Sequence, residues 1–351
     1  RIAPFMTMRI LLSGYHNPHY WTVTEYIERA IRALGHELAV FDDGTRCIPG
    51  RLRDRSPWME RADRAWLNRR LQVCAGRLRP DVLIVLGGEL VDPETVRLAK
   101  AARAVAILWT IDAPWNFEPI LRAAPVYDRV FCQGTEAVEL LSESGIGGAR
   151  WLPMACDPGC HHRSGGAKGE RGHDVVFVGS RYPVREQVFA GLAGTDFTIR
   201  GPGWERLPAA SPLRMHVKGA HTAPAAWTGI YQASKIVLAV HYRDPRGRIL
   251  CHQASPRVFE AMACGAFVLS DRQRDVLALF REGEHLVCFD DAADLAEKVR
   301  HYLGDPDERE RIARRGQDAV LRDHTYAGRL RQLLEEAGRC GSGRIAAGAT
   351  S

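Results

Sequence analysis

Ser255-Pro256-Arg257-Val258-Phe259-Glu260-Ala261-Met262-Ala263-Cys264-Gly265 runs directly into the apolar stretch Phe267–Ser270. The pair reads as one helix feeding one buried strand. Ser255 is a residue type that caps a helix N-terminus, and Pro256 suits the first helical position, where no amide is needed. Gly265 suits the C′ position that ends a helix. Val258, Phe259, Met262 and Ala263 supply an apolar stripe. The run that follows is continuous and apolar, as a strand covered on both faces requires.

Outward from this unit the same alternation continues to both ends, which is the pattern of parallel sheets with crossover helices. In the first half, strands are expected at Arg9–Ser13, Glu37–Phe41, Asp81–Leu86, Ala104–Thr110 and Arg129–Cys132. Helices are expected between them at Tyr20–Leu34, Trp58–Arg77, Pro93–Ala102, Asn116–Ala123 and Glu136–Ser144. A second series has strands at Asp174–Val178, Phe197–Arg200, Lys235–Val240, Phe267–Ser270 and His285–Phe289. Its helices are Val184–Leu192, Ala225–Ala233, Pro256–Cys264, Arg274–Phe280, Asp291–Leu303 and Glu308–Arg322. The composition shift at 159–173 is the expected boundary.

The fold class is therefore α/β, with two doubly wound Rossmann-like domains facing across a cleft. The expected limits are 8–158 for the N-terminal domain and 172–323 for the C-terminal one. A last helix, 324–338, is expected to pack back on the first domain, and 339–351 reads as a disordered tail. With 351 residues, two domains also agree with a prior of ~150 residues each.

Composition bounds the function. Hydrophobic residues make up 46% and charged residues 26%, which excludes disordered, collagen-like and coiled-coil chains. The longest apolar run, Ala104–Trp109, is far short of the ~20 residues of a membrane span. The net charge of +6 comes from 48 basic and 42 acidic side chains. At this level the excess reads as spread along the chain, with no basic stripe interleaved with aromatics, so a nucleic-acid partner is not expected. Nine scattered cysteines, an odd number, read as buried thiols in a reducing, cytoplasmic setting and not as a disulfide framework. Cys156, Cys160, His161 and His162 lie in a Pro-Gly loop without a second ligand pair, so no metal site is expected. Arg1–Thr7 lack the apolar core of a signal peptide and read as an added remnant ahead of a natural start at Met6 or Met8.

In open α/β sheets, ligands bind outside the carboxyl ends of the strands. At the entrance of the helix opening at Ser255, the amides of Arg257 and Val258 would bind an anion with help from the helix dipole. Glu260, one turn in, would then meet the ribose of a nucleotide whose diphosphate sits on those amides. The alternative is a well-capped core helix with a surface glutamate. Gly179-Ser180-Arg181 ends the first strand of the second domain, where a glycine admits a phosphate and Arg181 or Arg185 would neutralise it. The alternative is an ordinary strand–loop turn. Trp204, beside Gly201 and Gly203, would stack on a base or cover the domain edge. Tyr242 and Arg243 begin a polar loop through Arg248 that suits either a diphosphate lid or a solvated turn.

In the first domain, Ser13-Gly14-Tyr15-His16 is not Gly-x-Gly-x-x-Gly, which disfavours a nicotinamide dinucleotide. Gly87-Gly88-Glu89 ends the third strand. Asp112 follows a buried strand and would deprotonate an acceptor hydroxyl or bind a sugar hydroxyl, unless it merely caps the next helix. His16 is the other candidate base.

Ser255–Asp271, Leu279-Phe280 with Gly283-Glu284, and His324-Thr325-Tyr326 with Arg329 resemble the C-terminal domain of GT-B glycosyltransferases. The group they are most similar to is the spore-maturation CgeB-like glycosyltransferases. Phe177-Val178-Gly179-Ser180 with Arg185 resembles the first strand of the same domain. Trp109–Pro114 and Leu152–Asp157 resemble the N-terminal domain and linker. The resemblance covers roughly 80–335 and is strongest over 174–330. It implies transfer of a sugar from a nucleoside-diphosphate sugar to an acceptor, with no other cofactor. Retaining relatives carry Glu-x7-Glu. Glu260 matches the second glutamate, which holds the ribose, and His252 stands where the first would be.

The expected function is thus a metal-independent glycosyltransferase, with Ser255, Arg257, Val258, Glu260, Gly179, Ser180, Arg181, Arg185, Trp204 and Tyr242 on the donor and Asp112 or His16 in catalysis. Leaving-group charge would fall on amides, helix dipole and guanidinium. A sugar-nucleotide epimerase or hydrolase on the same frame, and a non-catalytic nucleotide-binding or sugar-binding module, are the alternatives.

Overall fold

The computed structural model describes residues 7–112, 117–163, 172–219, 224–244, 246–247 and 249–348, the backbone alone at 224–225 and 341–348. The chain divides into two units. One comprises the residues up to Asn17, Thr22–Leu152 and those from Ala327 onward; the other comprises Pro18–Trp21 and Pro153–Tyr326.

The first unit begins with β1 (Arg9–Gly14), α1 (Val23–Ala33), β2 (Glu37–Asp42), the short α2 (Gly50–Arg53), α3 (Pro57–Leu78) and β3 (Val82–Leu86). It continues through α4 (Pro93–Ala101), β4 (Val105–Thr110), α5 (Glu118–Ala123), β5 (Arg129–Cys132), α6 (Thr135–Glu143) and β6 (Arg150–Trp151). The strands are all parallel in the order β2-β1-β3-β4-β5-β6. β3 and β4 are buried along their whole length, as strands covered by helices on both faces must be.

The second unit runs β7 (His173–Val178), α7 (Pro183–Phe189), β8 (Phe197–Arg200), α8 (Pro224–Gln232), β9 (Ser234–Ala239) and α9 (Pro256–Ala263). Then come β10 (Phe267–Asp271), α10 (Arg274–Leu279), β11 (Val287–Phe289), α11 (Ala292–Gly304) and α12 (Pro306–Asp323). Its five strands are also parallel, ordered β11-β10-β9-β7-β8. The order reverses between β7 and β9, and between β1 and β3 in the first sheet. Such switch points open a crevice at the carboxyl ends of the strands.

Two parallel-sheet α/β units are what the alternation predicts, and the departures have local causes. α1 starts at Val23 and not at Tyr20, because Thr22 and Glu25 close a capping box there. The segment 339–351, expected to be a disordered tail, continues the last helix, α13 (Tyr326–Gly348), as far as Gly348. That helix is anchored by buried Leu330, Leu333, Leu334 and Ala337. Glu336 on it accepts hydrogen bonds from Arg129 at 3.2 Å and from Arg150. Once a helix is anchored, each added residue gains a bond for one fixed pair of dihedrals. Parts of several expected features lie outside the described residues: most of Arg1–Thr7, the end of the Trp109–Pro114 motif, the start of the Asn116 helix, most of the 159–173 boundary, Pro245 and Arg248 in the polar loop, and 349–351 of the tail. Among the described residues no helix is long and apolar enough to cross a membrane.

Candidate active site

A cavity of about 230 Å³ lies in the second unit at the carboxyl edge of its sheet. Val178, Gly179 and Ser180 leave β7 on its floor, and Gly201 and Pro202 leave β8 beside them. Gly201 has φ +138°, and a Cβ there would overlap the Gly179 carbonyl, so the two turns meet only because this residue is glycine. Ser255, Pro256, Arg257 and Glu260 contribute the start of α9, and Trp227 and Tyr231 come from α8. Tyr20 and Trp21, which group with this unit, complete the aromatic part of the lining.

The entrance of α9 differs in detail from the sequence-based expectation. Ser255 occupies the N-cap position, but its side chain makes no capping bond. The Val258 amide is taken by the Ser255 carbonyl at 3.0 Å and is not free for an anion; Val258 itself is buried in the core. The Ser255 hydroxyl is buried with no hydrogen-bond partner, and so is Nη1 of Arg257. Nε of Arg257 donates to the Val178 carbonyl at 2.5 Å, and the guanidinium lies 4.8 Å from the Phe177 ring centroid. That leaves the Nε edge anchored and Nη1 without a hydrogen bond beside the cavity, with the Tyr231 hydroxyl also bonded to the guanidinium. Burial pushes the Glu260 carboxyl up to about 7, against the opposing pull of Arg257.

The Ser255 backbone is held from behind by residues that the sequence reading did not single out. Its amide donates to Nε2 of His241 at 2.9 Å, and Nδ1 of His241 lies 2.6 Å from Oδ1 of Asp271. An Nε2 that accepts leaves the ring proton on Nδ1, facing the carboxylate. Asp271 also accepts from the His241 amide and from Gln273, and these partners hold its carboxyl down to about 2 although burial opposes them. His241 follows β9 and Asp271 ends β10. Both were findable by the strand-end rule, yet nothing in the sequence marks them as partners.

Several predicted donor residues do not line the cavity. Arg185 is buried, with Nε and Nη2 donating to the Val240 carbonyl at 2.9 and 2.6 Å and Nη1 to the Ser180 carbonyl at 2.7 Å. Desolvation, then the neighbouring Arg257 charge, lower its pKa to about 9. It holds the β7 and β9 loops together, and its donors are already engaged. Arg181 gives Nε and Nη2 to Glu186 at 2.9 and 2.6 Å. Trp204 is in the core, stacked 5.9 Å from Phe189, with its indole N–H on the Gly179 carbonyl at 2.8 Å. Tyr242 packs edge-on against Tyr182 at 5.2 Å. The structure therefore brings together Glu260, Ser255, Arg257, Gly179 and Ser180, and leaves Val258, Arg181, Arg185, Trp204 and Tyr242 off the lining. His252 is not on it either.

The first unit has a cavity of about 400 Å³ at its own switch point. Asp112 lines it with Gly87, Gly88 and Glu89, joined by Asp43 from the end of β2 and by Arg46 and Arg53. Burial, with the nearby Asp42 and Glu89 charges, raises Asp43 to about 7, against its Ser13 hydrogen bond. Desolvation raises Asp112, and it raises Glu89 with Asp112 adding to the effect. His16 is elsewhere: Nε2 is 2.6 Å from Glu28 Oε1, and Asp42 stands 3.6 Å from Nδ1. Desolvation lowers its pKa, but the Glu28 bond and the surrounding acids outweigh it and the net shift is upward. The two acids favour the protonated form of the ring.

Among the described residues, no group of three or more His, Cys, Asp or Glu could hold a metal ion. With this geometry established, residues 181–335 match the model of the glycosyl transferase-like family. That match spans less than half of the chain, and the two parallel sheets have the GT-B fold of solved glycosyltransferases. The HepE protein of Anabaena, solved with UDP-glucose, is 14% identical over 95% of this chain and 100% of its own, with a TM-score of 0.63. Sucrose-phosphate synthase from Thermosynechococcus elongatus is 12% identical over 98% of this chain and 100% of its own, with a TM-score of 0.64. AviGT4, a glycosyltransferase involved in avilamycin A biosynthesis, is 14% identical over 96% and 98%, with a TM-score of 0.65. No curated protein sequence matches the chain.

Proposed function

We propose that this chain transfers a sugar from a nucleoside-diphosphate sugar to an acceptor hydroxyl, with the donor bound in the second unit. The observation that carries the reading is the pair of unsatisfied buried groups, the Ser255 hydroxyl and Arg257 Nη1, on residues that line one cavity with Glu260. An unpaired buried donor costs free energy unless a ligand satisfies it. Both groups sit where the first turn of α9 favours negative charge. A diphosphate takes the Arg257 edge, the Ser255 hydroxyl and the turn at Gly179-Ser180. Glu260 accepts from ribose hydroxyls. Trp227, Tyr20 or Trp21 offers a face to the base.

HepE, which shares the fold, binds UDP-glucose and UDP, so a uridine nucleotide is the first donor to test. Departure of the diphosphate is assisted by the guanidinium and the helix N-terminus, with no metal in the step. The acceptor is taken by the first unit, where Asp112 lines the cavity beside Glu89 and suits a general base. His16 is the weaker candidate on its surroundings. Within the GT-B enzymes, the motifs around Ser255–Asp271 and His324–Tyr326 support placing the chain with the CgeB-like group.

The test is a melting-temperature panel of nucleoside diphosphates, because a ligand that binds only the folded chain raises the midpoint by mass action. One or more is expected to do so, and Glu260→Ala is expected to abolish the shift. Equal shifts in variant and parent would remove Glu260 from the site. Release of nucleotide from a donor without any acceptor would make the protein a hydrolase. A shift with no turnover on any acceptor would make it a binding module.

A further inference from the structure

The outward face of α3 mixes apolar and basic side chains. Leu67, Leu71 and Ala75 on this helix are buried. A surface helix built that way ordinarily turns charged and polar residues outward. At helical spacing on the opposite side, α3 carries Trp58, Ala62, Ala65, Trp66 and Val73. Trp58 is 67% exposed and Val73 40%, and Leu52 on α2 is 47% exposed. Arg61, Arg69 and Arg77 share this face, and among the described residues no hydrogen bond or ion pair engages their side chains.

The charge of the protein is concentrated here. Residues 51–79 hold nine arginines against Asp54, Glu60 and Asp63, a formal net +6 that equals the excess of the whole chain, although Arg64 is paired with Asp92 at 2.7 Å and Arg53 with Asp54 and Asp63. The basic excess is therefore not spread along the sequence, and it interleaves with Trp58 and Trp66. The composition-level reading missed this. Asp63 is buried and accepts from the Cys47 and Ile48 amides at 2.9 and 3.1 Å, with Arg53 3.5 Å away. Glu60 is thus the one acidic residue of α3 outside the core.

We propose that the outer face of α3, with Leu52, docks on an anionic lipid surface. Exposed aliphatic side chains such as Leu52 and Val73 gain by entering the boundary between headgroups and acyl chains. Tryptophans are suited to the same depth, with one apolar body and one N–H. Unpaired arginines beside them meet the phosphates of anionic headgroups. A nucleic acid would reward the arginines and one stacked indole, but it offers nothing to Leu52, Ala62, Ala65 or Val73. The inference stands on this face alone and does not depend on the transfer reaction.

The test is sedimentation of the full chain with vesicles of phosphatidylcholine alone or mixed equally with phosphatidylglycerol. The protein is expected to pellet with the anionic vesicles and to stay in solution with the neutral ones. The triple variant Arg61→Glu, Arg69→Glu, Arg77→Glu is expected to bind at least about tenfold more weakly. Trp58→Gln is expected to weaken binding without touching the charge. Both variants should keep the parent's melting temperature, since neither replaces a buried side chain. Failure of the parent to pellet with anionic vesicles would overturn the proposal, as would equal binding by the triple variant. A single-stranded oligonucleotide that binds the parent as tightly as the vesicles, and is released by the same substitutions, would also overturn it in favour of a nucleic-acid face.

Discussion

Nδ1 of His241 lies 2.6 Å from Oδ1 of Asp271, and both side chains are buried. Because Nε2 accepts the Ser255 amide at 2.9 Å, the imidazole is neutral and its proton faces the carboxylate. The pair fixes the backbone from which α9 springs, and with it the direction of the Ser255 hydroxyl and Arg257.

Replacing His241 by alanine leaves the Asp271 carboxylate without its shortest contact. The expected loss of stability is about 2 kcal/mol, the range for leaving a buried carboxylate one hydrogen bond short. Urea denaturation at neutral pH checks it. Asp271 is held at about 2 against an ordinary 3.8. Its contribution is therefore present above pH 4 and lost as the pH falls towards 2. Asp271→Asn is expected to flatten that part of the stability profile relative to the parent.

Ser255→Ala separates the two roles a serine can have at a helix start. A serine whose hydroxyl caps a helix contributes about 1 kcal/mol. Here the hydroxyl makes no capping bond. The variant is expected to stay within about 0.5 kcal/mol of the parent, with a smaller nucleotide-induced rise in melting temperature. A full capping loss with an unchanged nucleotide response would return the hydroxyl to the helix.

Glu260 gives the opposite pH signature to Asp271. Its pKa rises from 4.5 to about 7 on folding, so the folded chain holds the proton more tightly than the unfolded one. The resulting stability is complete below pH 4.5 and disappears as the pH climbs to about 7. Glu260→Gln carries no charge to bury. It is expected to match the parent in melting temperature at acid pH and to exceed it at alkaline pH, measured without ligand.

Arg185 and Arg257 are expected to fail in different ways. Arg185→Lys cannot reproduce three bonds to the Val240 and Ser180 carbonyls. It should cost roughly 2–3 kcal/mol, while the nucleotide shift measured from the variant's own baseline persists. Arg257→Ala should lose that shift at a smaller cost in stability. Paired melting curves with and without nucleoside diphosphate read both effects.

The order of elements was legible because it is written in short-range patterns. Runs such as Val82–Leu86 and Val105–Thr110 are apolar at every position, and helices begin at residues such as Asp291 that cap them in the structure as in the sequence. Gly265, expected to close α9, has φ +75°. The strand-end rule led to Glu260, Gly179, Ser180 and Asp112, all of which line cavities. It led equally to Arg185, Trp204 and His16, which are on neither of these two linings. A strand-end position says that a residue is near the edge and nothing about where its side chain points.

The sequence by itself determined two parallel sheets, the helix at Ser255 and the acid one turn inside it, because hydrophobic period and end residues act within a few positions of the chain. Only the tertiary structure decided which polar groups remained unsatisfied. Arg185 is consumed by the carbonyls of Val240 and Ser180, Trp204 by the Gly179 carbonyl, and the Ser255 amide by His241. Each of those partners comes from another strand or loop. A side chain's direction is set by what packs against it, and distant segments become neighbours only when the sheet assembles.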